Sequence, residues 1–215
     1  MKCFWATIVF IPTLAAAAPA QLEVAIQNSI QGHFPADSVA CLANPAGGVS
    51  RTGKDISPGV SWSAGPAGTK SYALIMTDPD VPVSGGDPSQ PGTAISADAP
   101  RRVLYHWILM QIPATMTGLP PGTGNKYAEL FGGPKPPMPP DAGQDFSEYG
   151  YGGPCPPVQD LKPHHYRIRI FAVDVVSFPN VAPIDGASFE AALASHLLAE
   201  GEADADYATN PSLNY

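Results

Sequence analysis

Apolar positions along this chain fall into a few short, dense runs separated by long stretches rich in Pro, Gly, Ser and Asp. Ser71–Asp78 is apolar and ends at Asp78-Pro79-Asp80, a strong turn sequence. Arg101–Pro113 (RRVLYHWILMQIP) is apolar on both faces, which predicts a strand covered on both sides. His165–Val176 alternates, with Tyr166, Ile168, Ile170 and Ala172 on one side and His165, Arg167 and Arg169 on the other. Gly59–Ser63 is a shorter candidate strand. One helix is predicted near the end, capped by Ser188 or Asp185, where Phe189, Leu193 and Leu197 recur at i, i+4 and i+8. Helical segments do not alternate with the strands, so the pattern predicts a mainly β protein, a β-sandwich with peripheral helices.

The connecting segments Val81–Pro100 and Ala114–Tyr149 are long enough to be functional or tolerated insertions. With 26 prolines and 21 glycines scattered among apolar strands, the chain reads as loop-rich, not disordered. No internal repeat or interdomain linker is visible. Residues 1–20 read as a secretory signal: Lys2 opens a short apolar run, and Ala18-Pro19-Ala20 offers small residues for cleavage. That leaves Gln21–Tyr215 as one domain that is soluble, with no apolar run long enough to cross a bilayer. Loss of Lys2 leaves 10 basic side chains against 19 acidic ones. Such a balance argues against nucleic acid and against docking on anionic membranes. Cys41 and Cys155 remain after cleavage; in an oxidising compartment they could bridge, the alternative being two partly buried thiols. Asn210 is followed by Pro211, so no N-glycosylation is expected.

Tyr151-Gly-Gly-Pro-Cys-Pro-Pro157 is a loop stiffened by proline and opened by glycine, able to turn backbone N–H groups toward a small anion. His164-His165-Tyr166 follows at the entrance of a strand. Period-two reasoning puts His164 and Tyr166 on the face of Ile168, His106 with Leu104, Ile108 and Met110, and Asp78 with Leu74 and Met76. Each alone is commonest as a satisfied core group, but four at inward strand ends suggest a pocket.

These motifs occur in an order that resembles the phosphatidylethanolamine-binding protein family, which includes the Raf kinase inhibitor proteins. The resemblance rests on Thr77-Asp-Pro-Asp-Val-Pro82, Tyr105-His-Trp107, the Gly/Pro loop with Pro163-His-His-Tyr166, and Ile56-Ser-Pro-Gly-Val-Ser-Trp62 with Pro66-Ala-Gly-Thr-Lys-Ser71. It covers roughly Cys41 to Tyr207, and the segment His196-Leu-Leu-Ala-Glu200 is similar to the family's closing helix. The resemblance implies an antiparallel β-sandwich with a small anion pocket formed by Asp78, His106, Pro157, His164 and Tyr166, with Gly153 and Cys155 shaping its loop. Leu104 stands where some relatives carry a pocket-wall Trp, His165 where many carry Arg, and Gly-Pro-Cys-Pro-Pro resembles microbial members. Asp80 is read as part of the turn.

The expected function is non-enzymatic binding of a phosphate-bearing small molecule or phospholipid head group by a secreted monomer, without metal or other cofactor. No Arg or Lys is foreseen in the pocket. Imidazole N–H, phenol O–H and backbone N–H groups would hold the phosphate, and Asp78 would orient a histidine or meet a ligand ammonium. Affinity is expected to rise as pH falls toward about 6. Catalysis by a two-His–one-carboxylate metal site is the first rival, opposed by the absence of H-E-x-x-H, G-x-S-x-G or P-loop spacings. A secreted inhibitor, for example of a protease, acting through the loops Val81–Pro100 and Phe131–Glu148 is the second; Pro134-Lys-Pro-Pro-Met-Pro-Pro140 would be its polyproline-like strip.

Overall fold

A computed structural model describes residues 20–44, 48–84, 92–124, 150–178 and 186–213. The predicted signal up to residue 19, the helix cap Asp185 and the proline-rich strip at 134–140 lie outside the described residues.

The predicted runs form the centre of the fold. In chain order the strands are β1 (Ala20–Gln21), β2 (Val24–Ile26), β3 (Leu42–Ala43), β4 (Val49–Ser50), β5 (Val60–Trp62), β6 (Ser71–Pro82), β7 (Arg101–Pro113), β8 (Gly118–Leu119), β9 (His164–Val173) and β10 (Leu197–Tyr207), with helix α1 at Gly186–Ala194. A five-stranded sheet runs β1-β10-β9-β6-β7, antiparallel except for the β1–β10 pair, beside a three-stranded sheet β2-β5-β8 and the hairpin β3-β4.

The large sheet is buried on both faces, which explains its near-continuous apolar strands. On one face Leu74, Met76, Trp107, Leu109, Ile168 and Ile170 pack with Val60, Trp62 and Leu119 of the small sheet. On the other, Ala73, Ile75, Ile108 and Phe171 meet Phe189 and Leu193 of α1. Mainly β architecture with a helix near the C-terminus is therefore the observed fold.

Three local expectations are corrected. The helical register does not run through Leu197: α1 ends at Ala194, and Leu197–Tyr207 is strand β10, paired along its length with β9. Its sequence, LLAEGEADADY, is poor in strand-forming side chains but alternates small and acidic residues. Ala199, Gly201 and Ala205 are buried, while Glu202 and Asp204 stand opposite Arg169 and Arg167 of β9. Arg167 meets Asp204 at 3.0 Å, a cross-strand charge pair that offsets weak propensity.

Second, Asp78-Pro79-Asp80 does not end its strand. A β-bulge lies between Asp78 and Val81, the Asp80 amide donates to Asp78 Oδ1 at 2.8 Å, and β6 continues to Pro82. Third, the partner of Met76 is Trp107 while that of Thr77 is Tyr105, so His106 is an extra residue in β7. The bulge swings His106 away from Ile108 and Met110, which face the helix, and onto the sandwich side against Tyr166 (ring centroids 5.2 Å).

Gly201 lies where the chain crosses Leu22 so closely that a Cβ would stand 2.1 Å from the Leu22 carbonyl oxygen. Gly201→Ala is expected to lose at least about 2 kcal/mol of stability, read as a lowered urea midpoint with unchanged slope.

Candidate functional site: a buried carboxylate–histidine cluster

The Gly/Pro loop is fastened from several sides before it delivers anything to the site. Cys155 is disulfide-bonded to Cys41 (Cα–Cα 4.7 Å), and the Ala40 and Cys41 amides donate to the Pro154 carbonyl at 3.0 and 3.2 Å. The Tyr151 hydroxyl donates to the Ser38 carbonyl at 2.6 Å, and the Gly152 amide to the His106 carbonyl at 2.9 Å. Thr209 Oγ1 donates to the Pro156 carbonyl and Asn210 Nδ2 to that of Asp160. Gly153 packs where a Cβ would meet the Ser38 carbonyl oxygen at 2.4 Å and Asp55 Oδ1 at 2.6 Å, and its amide donates to Asp55 Oδ1 at 2.7 Å. The expected role of Gly153 is thus one of loop shape. Its N–H and that of Gly152 are already committed to the protein. Pro157 opens a tight turn, closed by the Asp160 amide donating to its carbonyl at 3.0 Å.

This turn brings in the residue that sequence reasoning missed. Asp160, 1% exposed, accepts from His164 Nε2 at 3.1 Å through Oδ2. It also takes a bidentate pair from Arg101, Nη1 to Oδ2 at 2.6 Å and Nη2 to Oδ1 at 3.0 Å, and the Lys162 amide at 3.0 Å. His164 donates its other nitrogen, Nδ1, to Asp78 Oδ2 at 2.7 Å. An imidazole with carboxylates on both nitrogens must donate from both and is therefore an imidazolium. Burial works against that charge, but hydrogen bonds and charges of Asp160 and Asp78 win and lift the His164 pKa to about 9. For Asp160 burial is again outweighed, by His164, Arg101 and the Lys162 amide, and its pKa falls to about 2.

His106 takes the opposite state. Burial pushes its pKa below the ordinary value against the pull of Asp78, and its Nδ1–H donates to the Gly152 carbonyl at 2.7 Å. Its Nε2 lies 4.0 Å from Asp78 Oδ2. Tyr166, fully buried, packs edge-on against the His106 ring (centroids 5.2 Å) and lies 6.5 Å from the His164 ring. Burial, then the charge and close approach of the Asp78 carboxylate, hold its phenol well above its usual pKa, and no group among the described residues stands in full hydrogen-bond geometry to its hydroxyl.

Asp80 is likewise buried instead of marking a surface turn. It accepts the His165 amide at 2.9 Å and His165 Nδ1 at 2.7 Å, and it pairs with Lys162. Burial would raise its pKa, but these partners bring it below the usual carboxylate range. His165 itself points outward, as strand parity predicts. The structure thus brings Asp78, His106, His164 and Tyr166 together and adds Asp160, Asp80, Arg101 and Lys162. Cationic side chains border the site after all, already matched to carboxylates. The D-x-x-x-H spacing of Asp160 and His164 was the available signal.

Two measurements test this description. Unfolded, His164 has a pKa near 6.5, so the folded state holds an extra proton between that pH and about 9. Its contribution to stability is complete below pH 6.5 and should fall by about 3 kcal/mol as pH rises through 9. Urea unfolding across that range should show the slope in the native protein and a flatter profile in His164→Gln. The disulfide joins residues 114 positions apart, so reducing it should cost about 4–5 kcal/mol, seen as a lower unfolding midpoint under reductant.

Comparison with known proteins meets the same elements. A family model described as phosphatidylethanolamine-binding protein matches residues 23–208. UPF0098 protein YbcL of Escherichia coli (strain K12) is 36% identical over 128 residues, 59% of this chain and 57% of that protein. A UPF0098 protein of Aquifex aeolicus (strain VF5) is 37% identical over 130 residues, 58% of each. The chain therefore spans little more than half the length of these relatives. The crystal structure of Escherichia coli YbcL, described as a new member of the mammalian PEBP family, superposes with a TM-score of 0.59 at 26% identity, covering 88% of this chain and 99% of that one. A PEBP homologue from Chlamydia trachomatis shares the fold (TM-score 0.56, 22% identity). With the match running from β2 to the segment that follows β10, across every strand that carries the cluster, the chain belongs to the phosphatidylethanolamine-binding protein family.

Proposed function

We propose that this protein is a secreted, monomeric, non-enzymatic binder of a small phosphate-bearing group, such as phosphoethanolamine or a phospholipid head group, at the Asp78–His106–His164–Tyr166 cluster. The observation that carries the reading is the Tyr166 hydroxyl. It is a buried, protonated donor with no group in full hydrogen-bond geometry among the described residues, beside an imidazolium that keeps its charge to about pH 9. An unmade buried hydrogen bond costs about 1–3 kcal/mol, and an incoming oxyanion would recover it. Asp78, at the centre of the cluster, suits a ligand ammonium.

Binding is favoured over metal catalysis by the hydrogen bonds in place. Both His164 nitrogens are held by carboxylates and His106 Nδ1 by the Gly152 carbonyl, so these groups are not arranged as a ligand set. The family match supports ligand binding at the coarse level, and the composition of residues 1–20 supports export.

The test is calorimetric titration with phosphoethanolamine. Saturable binding is expected, weakened about tenfold in His106→Ala and in Tyr166→Phe, with Tyr166→Phe no less stable than the native protein. Because His164 keeps its charge to about pH 9 and burial lowers the His106 pKa, affinity should rise less on lowering the pH from 7.5 to 6 than the sequence alone predicts. No binding at millimolar ligand, or full affinity in both variants, would overturn the reading.

A further inference from the structure

The position that an oxyanion would take on His164 is occupied by the protein itself. His164 Nδ1 is committed to Asp78, so Nε2 is its remaining donor, and Asp160 Oδ2 lies on it at 3.1 Å. This is the longest of the bonds that hold the Asp160 carboxylate. Arg101 contributes 2.6 and 3.0 Å and the Lys162 amide 3.0 Å. Arg101 is in turn fixed by the Asp80 carbonyl at 2.8 Å and the Ser96 carbonyl at 2.8 Å. Asp160 could therefore release His164 by a small rotation and lose one hydrogen bond, with its charge still matched by the guanidinium.

We infer that Asp160 is a specificity-determining residue of the pocket: a tethered carboxylate that competes with the anionic group of any ligand for His164 Nε2. The inference rests on the head-group reading above and adds a selection rule to it. A tethered competitor has a high effective concentration, so a free carboxylate, which offers His164 only what Asp160 already supplies, cannot displace it. A phosphate group brings further oxygens for the Tyr166 hydroxyl, and an attached ammonium brings a contact for Asp78. Such a ligand replaces one lost bond with several. The pocket should then reject simple carboxylates and accept phosphate joined to a cation. Held between Arg101 and His164 with its pKa at about 2, Asp160 is ionised at neutral pH, where it competes.

The variant Asp160→Asn removes the competing charge and keeps an acceptor for Arg101. It is expected to bind phosphoethanolamine about ten- to a hundredfold tighter than the native protein and to acquire measurable binding of acetate. Phosphoethanolamine and glycerophosphoethanolamine are titrated side by side. Both should tighten, and the one that binds the native protein better tells a free phosphomonoester from a lipid head group. A second measurement needs no variant. In native protein labelled for NMR, the Asp160 carboxyl carbon and His164 Nε2 should move together as phosphoethanolamine saturates. If Asp160→Asn binds no tighter, or if His106 and Tyr166 signals saturate while the Asp160 carboxyl stays fixed, Asp160 is not the competitor although the pocket stands. If no signal in the cluster moves in either protein, the head-group reading falls and this inference with it.

Discussion

Three buried carboxylates, Asp78, Asp80 and Asp160, are each no more than 5% exposed, and the surrounding loops are arranged around the need to compensate them. An uncompensated buried charge costs several kcal/mol, more than a loop of this size can offset by packing. Asp160 draws Arg101 and His164 to itself, Asp80 draws Lys162 and His165, and Asp78 takes the other side of His164. These pairs tie the end of β6, the start of β7 and the start of β9 into one unit. The segment that ends in Pro100 follows, because Arg101 also holds the Ser96 and Ala97 carbonyls. The candidate site is thus the electrostatic knot of that end of the sandwich.

The same knot explains why two histidines in one small volume behave differently. Both are buried, and burial alone would leave both neutral. His164 lies between two carboxylates and is held as a cation, whereas His106 meets a carbonyl and sits 4.0 Å from the shared Asp78. A fixed cation, a ring whose pKa burial lowers and a buried phenol thus share one polar but nearly balanced interior cluster.

Much of the frame was legible. Runs with clear period-two alternation or two-faced hydrophobicity, β6, β7 and β9, stood out because each side chain's destination is written in its neighbours. Only the start of β10, Leu197–Glu200, reads as helix, because Leu197 continues the i, i+4 spacing of Phe189 and Leu193; the identity of the whole strand depends on β9 supplying Arg167 and Arg169 opposite its acids. The cluster members Asp78, His164 and Tyr166 followed from strand parity, which holds wherever the ladder is regular. His106 reached the cluster by another route, since parity alone would have aimed it at the helix and the bulge reversed it.

By itself the sequence determined that the cores of β6, β7 and β9 are strands of a buried sheet, that proline stiffens the Gly/Pro loop, and which titratable side chains those strands carry, because these depend on local geometry and period. Only the tertiary structure decided that Asp160 reaches His164, that Arg101 and Lys162 border the site, and that Cys41 lies beside Cys155. Each of these depends on where a bulge or a proline turn places one side chain within hydrogen-bonding or bonding distance of another. A displacement of one residue in register is invisible in composition yet moves a side chain from one face of the sheet to the other. The charge state of the site is settled there too, since it depends on distances of a few ångströms between groups up to 86 positions apart.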